Sequence, residues 1–233
     1  MTDETTRQKT ALIIGSSRGL GLALAEELWT RGWHVIATRR AVAPELEALV
    51  ARSSGAVEAA LFEIASRDHT QKLQETLTGR KLDVLFINAG ISLAKEDTAA
   101  SADEADFINM MMTNAFHPVR VMEALRHLVR PDGLIAFMSS ELASITNNPG
   151  VCDLYSSSKA SLNMLVKCHA ARHLHDSRGI LLIAPGWVRT GTGGEDALLS
   201  VEESIPHVAR LLNANLGKPG LRFVDRFDQQ IDW

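Results

Sequence analysis

The sequence predicts an α/β fold: one domain over residues 1–233, built on a doubly wound parallel sheet of about seven strands with helices on both faces. Three observations predict it. Short apolar runs alternate with helix-like stretches along the whole chain. Several runs, LDVLFIN (82–88) and GILLIAPG (179–186) above all, are apolar at nearly every position, as strands covered on both faces must be. No repeat, low-complexity tract or linker divides the pattern. A barrel of eight strand–helix units is disfavoured, since about seven strands are found in a chain slightly short for it.

The elements follow in order. ALII (11–14) is a strand ending at Gly15, and LALAEELWTRG carries Leu20, Leu24 and Leu28 at helical spacing, with Gly32 where a C-terminal cap belongs. WHVIAT (33–38) is the second strand, and Pro44 opens the next helix, where its missing N–H costs little. VEAALFEI (57–64) is the third strand. Ser66 caps a helix terminated by Gly79, and 82–88 is the fourth strand. Ser101 and Glu104 form a capping-box pattern opening a long helix to about His127, with Pro118 predicting a local distortion within it. Pro131-Asp-Gly133 turns into a fifth strand, 134–140. A helix from about Asp153 to Asp176, the sixth strand at 179–186, a capping box at Ser200/Glu203 and a last strand at 221–225 complete the pattern.

Composition narrows the function. A net charge of -4 argues against a nucleic-acid binder, and no apolar run approaches the length of a bilayer span. The polar, acid-bearing start MTDETTRQKT has the character of neither a signal nor a transit peptide. Cys152 and Cys168 form no disulfide framework, which suits a reducing, cytoplasmic setting.

GSSRGLG (15–21) joins the first strand to the first helix. Glycines there permit a tight turn and close approach of backbone amides to a pyrophosphate at the positive helix end. Where a 2'-hydroxyl reader would place an acid, the second strand ends in Thr38-Arg39-Arg40. Arginine there suits a 2'-phosphate. DLYSSSKAS (153–161) sets Tyr155, the only tyrosine, four residues before Lys159, hence on one helix face. A phenol of pKa about 10 needs a nearby cation to exchange protons readily near neutrality. Ser139-Ser140 closes the fifth strand at the sheet edge where such folds bind ligands.

These motifs, in this order, resemble the short-chain dehydrogenase/reductase family, whose cofactor loop is G-x-x-x-G-x-G. The resemblance implies a Rossmann fold and NADP(H) as cofactor. Gly15, Ser17, Arg18, Gly19, Leu20 and Gly21 would form the loop, with Arg18 a third charge beside Arg39 and Arg40. Glu63-Ile64 matches the adenine side, and Asn88-Ala89-Gly90 resembles the family's NNAG turn. In PGWVRT, the match to P-G-x-x-x-T places Pro185, Gly186, Val188 and Thr190 at the nicotinamide and pyrophosphate. GTGGEDALLSVEES then reads as a flexible lid.

By the same resemblance Tyr155 is the general acid, Lys159 lowers its pKa and holds the ribose, Ser140 orients the carbonyl, and Asn114 holds a relay water. Ser140 stands 15 positions before Tyr155 (140 to 155), a longer spacing than usual, so Ser139 stays open for the carbonyl-binding role. The implied activity is interconversion of a small ketone, aldehyde or quinone with its alcohol; an NADP-binding sensor without turnover is the alternative. The group containing insect sniffer and bacterial C-factor is the nearest in pattern, and a homodimer or homotetramer through the two long helices is implied. No metal is expected: His169 and His173 read as a solvated helix face, and Met110 to Met112 as core or interface filling. FMSSELA lacks the elbow a hydrolase nucleophile would need.

Overall fold

The computed structural model describes residues 7–233. Seven parallel strands form one sheet in the order β3-β2-β1-β4-β5-β6-β7. They are β1 Thr10–Ile14, β2 His34–Arg39, β3 Val57–Leu61, β4 Leu82–Ile87, β5 Val129–Met138, β6 Gly179–Ala184 and β7 Gly220–Asp225. The helices are α1 Gly19–Thr30, α2 Pro44–Arg52, α3 Arg67–Thr76, α4 Glu104–Met111, α5 His117–Leu125, α6 Asp153–Arg172 and α7 Val201–Ala214.

Alternation along each strand sorts its side chains between two cores. Ala11 and Ile13 face α1, α2 and α7 through Leu24, Leu28, Leu46 and Val208. Leu12 and Ile14 face α3, α5 and α6 through Leu73, Met122 and Leu162. β4 is buried at all six positions, whereas β3, at the sheet edge, leaves Ala59 and Leu61 exposed. The order reverses between β1 and β4, which opens a crevice at their carboxyl ends.

Several caps sit as predicted. Ser66 accepts from the His69 amide, Ser200 and Glu203 form a reciprocal capping box, and Gly32 takes a positive φ of 82° after α1. Other boundaries differ. β3 ends at Leu61 rather than Ile64, because the Glu63 amide turns away to donate to His69 Nδ1. Ser101 does not cap α4: its hydroxyl bonds Asp97 and the Thr98 amide, and Asp103 is the cap. The long fourth helix is interrupted by a π-turn, Met112–Phe116, which ends two positions before Pro118. Proline has no N–H to give the Asn114 carbonyl four residues back, so the α-ladder cannot close there. α6 stops at Arg172, four residues short of Asp176 (172 to 176). Pro131-Asp-Gly133 lies within β5, where pairing shifts between Leu82–Val129 and Val84–Leu134.

Candidate active site

The carboxyl ends of the strands frame a cleft of about 1040 Å³. Of the residues singled out in the sequence, all but Gly21 and Asn114 line it. These two stand behind the wall and shape it. A Cβ on Gly21 would come within 2.0 Å of the Gly15 carbonyl, so only glycine lets α1 seat against the loop. Gly15, at φ 93°, would meet the Ala89 backbone at 2.9 Å.

The glycine loop is held from both neighbouring strands. Thr38 on β2 accepts from the Gly15 amide through Oγ1 and from the Ser16 amide through its carbonyl. Asn88, after β4, donates through Nδ2 to the Gly15 carbonyl at 2.7 Å. Thr38 is buried and carries no motif signal, so sequence reasoning passed over its role. At the adenine end Arg39 pairs with Glu47 at 3.3 Å and Arg40 with Glu63 at 3.8 Å, while the buried Nε of Arg39 has no partner.

At the far end, α6 and β5 bring Tyr155, Lys159 and Ser140 together. Lys159 is buried, and Nζ donates to the Met138 carbonyl at 2.8 Å and lies 5.8 Å from the Tyr155 ring centre. Burial pushes this lysine down to about 8. Burial likewise pushes the Tyr155 phenol up to about 12, against the hydrogen bond of the Ser140 hydroxyl, which acts to lower it. In this arrangement the Lys159 ammonium is turned to the Met138 carbonyl.

Ser139 and Ser140 point opposite ways. Ser139 is buried and donates to Asn163 Oδ1 at 2.8 Å, whereas Ser140 lies half-buried at the cleft, its Oγ accepting from the Leu142 amide. Both residues line the cleft, but the Ser139 hydroxyl is committed to Asn163 while that of Ser140 is not.

Asn114 sits in the π-turn, fully buried. Its Oδ1 accepts from the Ile91 amide, and Nδ2 donates to the Ile91 carbonyl and to Ser158 Oγ. Its side chain is thus a clamp between the chain after β4 and α6. A Cβ added to Gly90 would lie 3.2 Å from Asn114 Oδ1 and 3.4 Å from Lys159 Nζ, so both flank one small space.

The segment after β6 folds over the cleft as a bonded loop. Trp187 Nε1 donates to the Gly193 carbonyl, Thr190 Oγ1 accepts from the Gly193 amide, and Val188 bridges Leu199. On the opposite flank of α6, His169 is buried rather than solvated, because Glu123 of α5 covers it and bonds Nδ1. His173 stacks on it at 4.2 Å, and these three form a group of potential metal ligands. Arg126 already sits 3.5 Å from the other Glu123 oxygen, supplying the positive charge there. Both cysteines are free. Among the described residues no helix is long and apolar enough to cross a membrane.

Comparison with known proteins agrees with this geometry. The family model for short chain dehydrogenase matches residues 9–197. A short-chain dehydrogenase/reductase from Burkholderia multivorans with bound NADP superposes with a TM-score of 0.95 at 41% identity, covering 97% of this chain and 100% of that one. A carbonyl reductase from Pseudomonas aeruginosa PAO1 in complex with NADP gives 0.90 at 36% identity, with coverage of 97% and 100%. The carbonyl reductase Sniffer of Drosophila melanogaster gives 0.87 at 26% identity, again over 97% and 100%.

Proposed function

Because the chain belongs to the short-chain dehydrogenase family, we propose that it is an NADPH-dependent carbonyl reductase acting on a small ketone, aldehyde or quinone. The observation that carries this is the cluster of Tyr155, Ser140 and buried Lys159 in the same cleft as the glycine loop.

The residues present fit NADP(H). Gly15 and Gly21, where a side chain would strike neighbouring backbone, hold the loop tight at the start of α1, and Arg39, Arg40 and Arg18 line the adenine end of the cleft, the Nε of Arg39 having no partner. Arg39 and Arg40 would take the 2'-phosphate, the amides of Ser17 to Leu20 the pyrophosphate, and Val188 and Thr190 the nicotinamide side. When bound, the cofactor supplies hydride to the carbonyl carbon.

The chain's own residues manage the proton. The Ser140 hydroxyl donates to the substrate oxygen and fixes it beside Tyr155. The Tyr155 O–H bond breaks as the alcohol O–H forms, and the phenolate regains a proton from solvent by way of Lys159 and the space next to Gly90. For this, Lys159 leaves the Met138 carbonyl and turns to the cleft, where its ammonium stabilises the phenolate.

The test is NADPH oxidation across a carbonyl panel. Turnover that falls about 100-fold or more in Tyr155→Phe supports the reading. Tight NADPH binding with no turnover, unchanged by the substitution, would favour an NADP-binding sensor. Self-association through the α4–α6 face is part of this proposal. Ile108, Phe116 and Met164 are exposed there at 58%, 46% and 58%. Light scattering should find a dimer or tetramer that Phe116→Asp converts to monomer.

A further inference from the structure

We propose that Trp233 is a positioning residue for the substrate end of the cleft, acting through Thr146; this rests on the carbonyl-reductase reading above. The wall on that side is the long segment between Ser140 and Tyr155, which presents Leu142, Val151 and Cys152 to the cleft. The segment is bonded within itself. Asn148 Nδ2 donates to the Leu142 carbonyl at 2.9 Å, and its Oδ1 accepts from the amides of Gly150 at 2.7 Å and Val151 at 3.4 Å. Buried Ser144 accepts from the Asn147 amide at 3.0 Å. A loop so closed moves as one body.

Behind that wall lies a second cavity of about 440 Å³, bounded by Asn147 and Pro149 of the loop and by Asp225, Gln229 and Ile231. Glu141 and Leu142 line both spaces, so a single thickness of chain divides the cleft from the cavity. Next to the cavity-lining Asn147, Thr146 donates twice to the main-chain oxygen of Trp233, from its amide at 3.3 Å and its hydroxyl at 2.9 Å.

Trp233 is itself held. Its ring packs on fully buried Phe223 of β7, with centres 5.7 Å apart, and Lys167 Nζ lies 5.0 Å above it. The Ile231 amide also donates to the Phe223 carbonyl at 2.9 Å. Lys167 belongs to α6, which carries Tyr155 and Lys159. The tether therefore fixes the substrate wall relative to the helix that bears the proton donor. Released, the wall has room to retreat into the second cavity and widen the space beside Tyr155. Displacements near 1 Å at a reacting centre cost up to about 100-fold in rate, so a modest retreat is measurable.

The test uses Thr146→Val and Trp233→Ala in the full chain; Thr146 is exposed, so its variant should fold. With a compact aldehyde and a bulky aryl ketone as probes, the kcat/KM ratio should shift at least about fivefold toward the ketone, chiefly through KM. NADPH affinity should stay unchanged, and amide exchange over 144–151 should quicken. Unchanged exchange overturns the tether. Faster exchange with an unchanged ratio overturns the positioning role, and a parallel loss of NADPH affinity also overturns it by marking a general loosening. The exchange measurement needs no turnover, so a failure of the carbonyl-reductase reading and a failure of the tether are distinguished.

Discussion

Lys159 Nζ donates to the Met138 carbonyl at 2.8 Å, so the floor of the cleft holds a buried cation on the last carbonyl of β5. Desolvation disfavours the ammonium, and that one carbonyl only partly compensates for lost water.

The first consequence concerns pH. Lys159 loses its proton near 8, while burial keeps Tyr155 protonated to about 12. Under the proposed reading, the alkaline limb of turnover therefore belongs to the lysine. A kcat/KM profile should be flat below about pH 7 and fall as pH rises through 8. A limb near 10 instead would contradict this assignment.

A second consequence is a trade between stability and turnover. The folded-state pKa of Lys159 lies below its ordinary 10.5, so the unfolded chain binds the proton more tightly. That destabilises the fold at neutral pH, and the penalty fades as pH rises from 8 to 10.5. Lys159→Met should stabilise the protein by about 1–3 kcal/mol at pH 7, after allowing for the lost Met138 bond, and by less at pH 9.5. Urea melts at the two pH values check this, and turnover should fall about 100-fold in the same variant.

The arginines proposed to take the 2'-phosphate are already paired. Arg39→Ala should weaken NADPH binding at least about tenfold and leave NADH nearly unchanged, since a charge-assisted bond contributes about 1.5–3 kcal/mol. Glu47→Gln should tighten NADPH a few-fold, because it removes the carboxylate now 3.3 Å from Arg39. Titration of each variant with both cofactors separates the effects.

Asn114 should prove structural before anything else. Asn114→Ala removes three hydrogen bonds and leaves the buried side of Ser158 without its donor. A loss of about 2–4 kcal/mol in denaturant melts is expected. An unchanged midpoint would mean that the clamp between Ile91 and α6 is dispensable.

Much of this was legible in the sequence for definite reasons. β1, β4 and β6 are apolar at nearly every position, which only a doubly covered sheet explains, and the glycine loop marks where the chain turns into α1. Pro118 signalled the break in the helix before it. The remainder depends on contacts across the sheet. Nothing local tells that Glu123 covers His169, that Thr38 holds the glycine loop, or that the Asn114 amide is consumed by Ile91 and Ser158. Ser101 matched a capping box in spacing, yet Asp97 and the Thr98 amide claimed its hydroxyl first. The acidity of Tyr155 was the hardest to read, since helix spacing places a lysine near it but does not say which oxygen that lysine prefers.

The two serines after β5 share one further property. The extended backbone continues past Met138, with the Ser139 amide still bonded to the Ile183 carbonyl and Ser140 at φ -159° and ψ 151°. Which hydroxyl faces substrate is thus a matter of odd and even positions counted from the core. Deleting one residue between 134 and 138 would carry Ser140 into the place that faces Asn163 and Ser139 into that of buried Met138, leaving Glu141 where Ser140 stood. Such a frame slip should harm the enzyme more than the loss of either hydroxyl alone, so length here is under tighter constraint than chemistry.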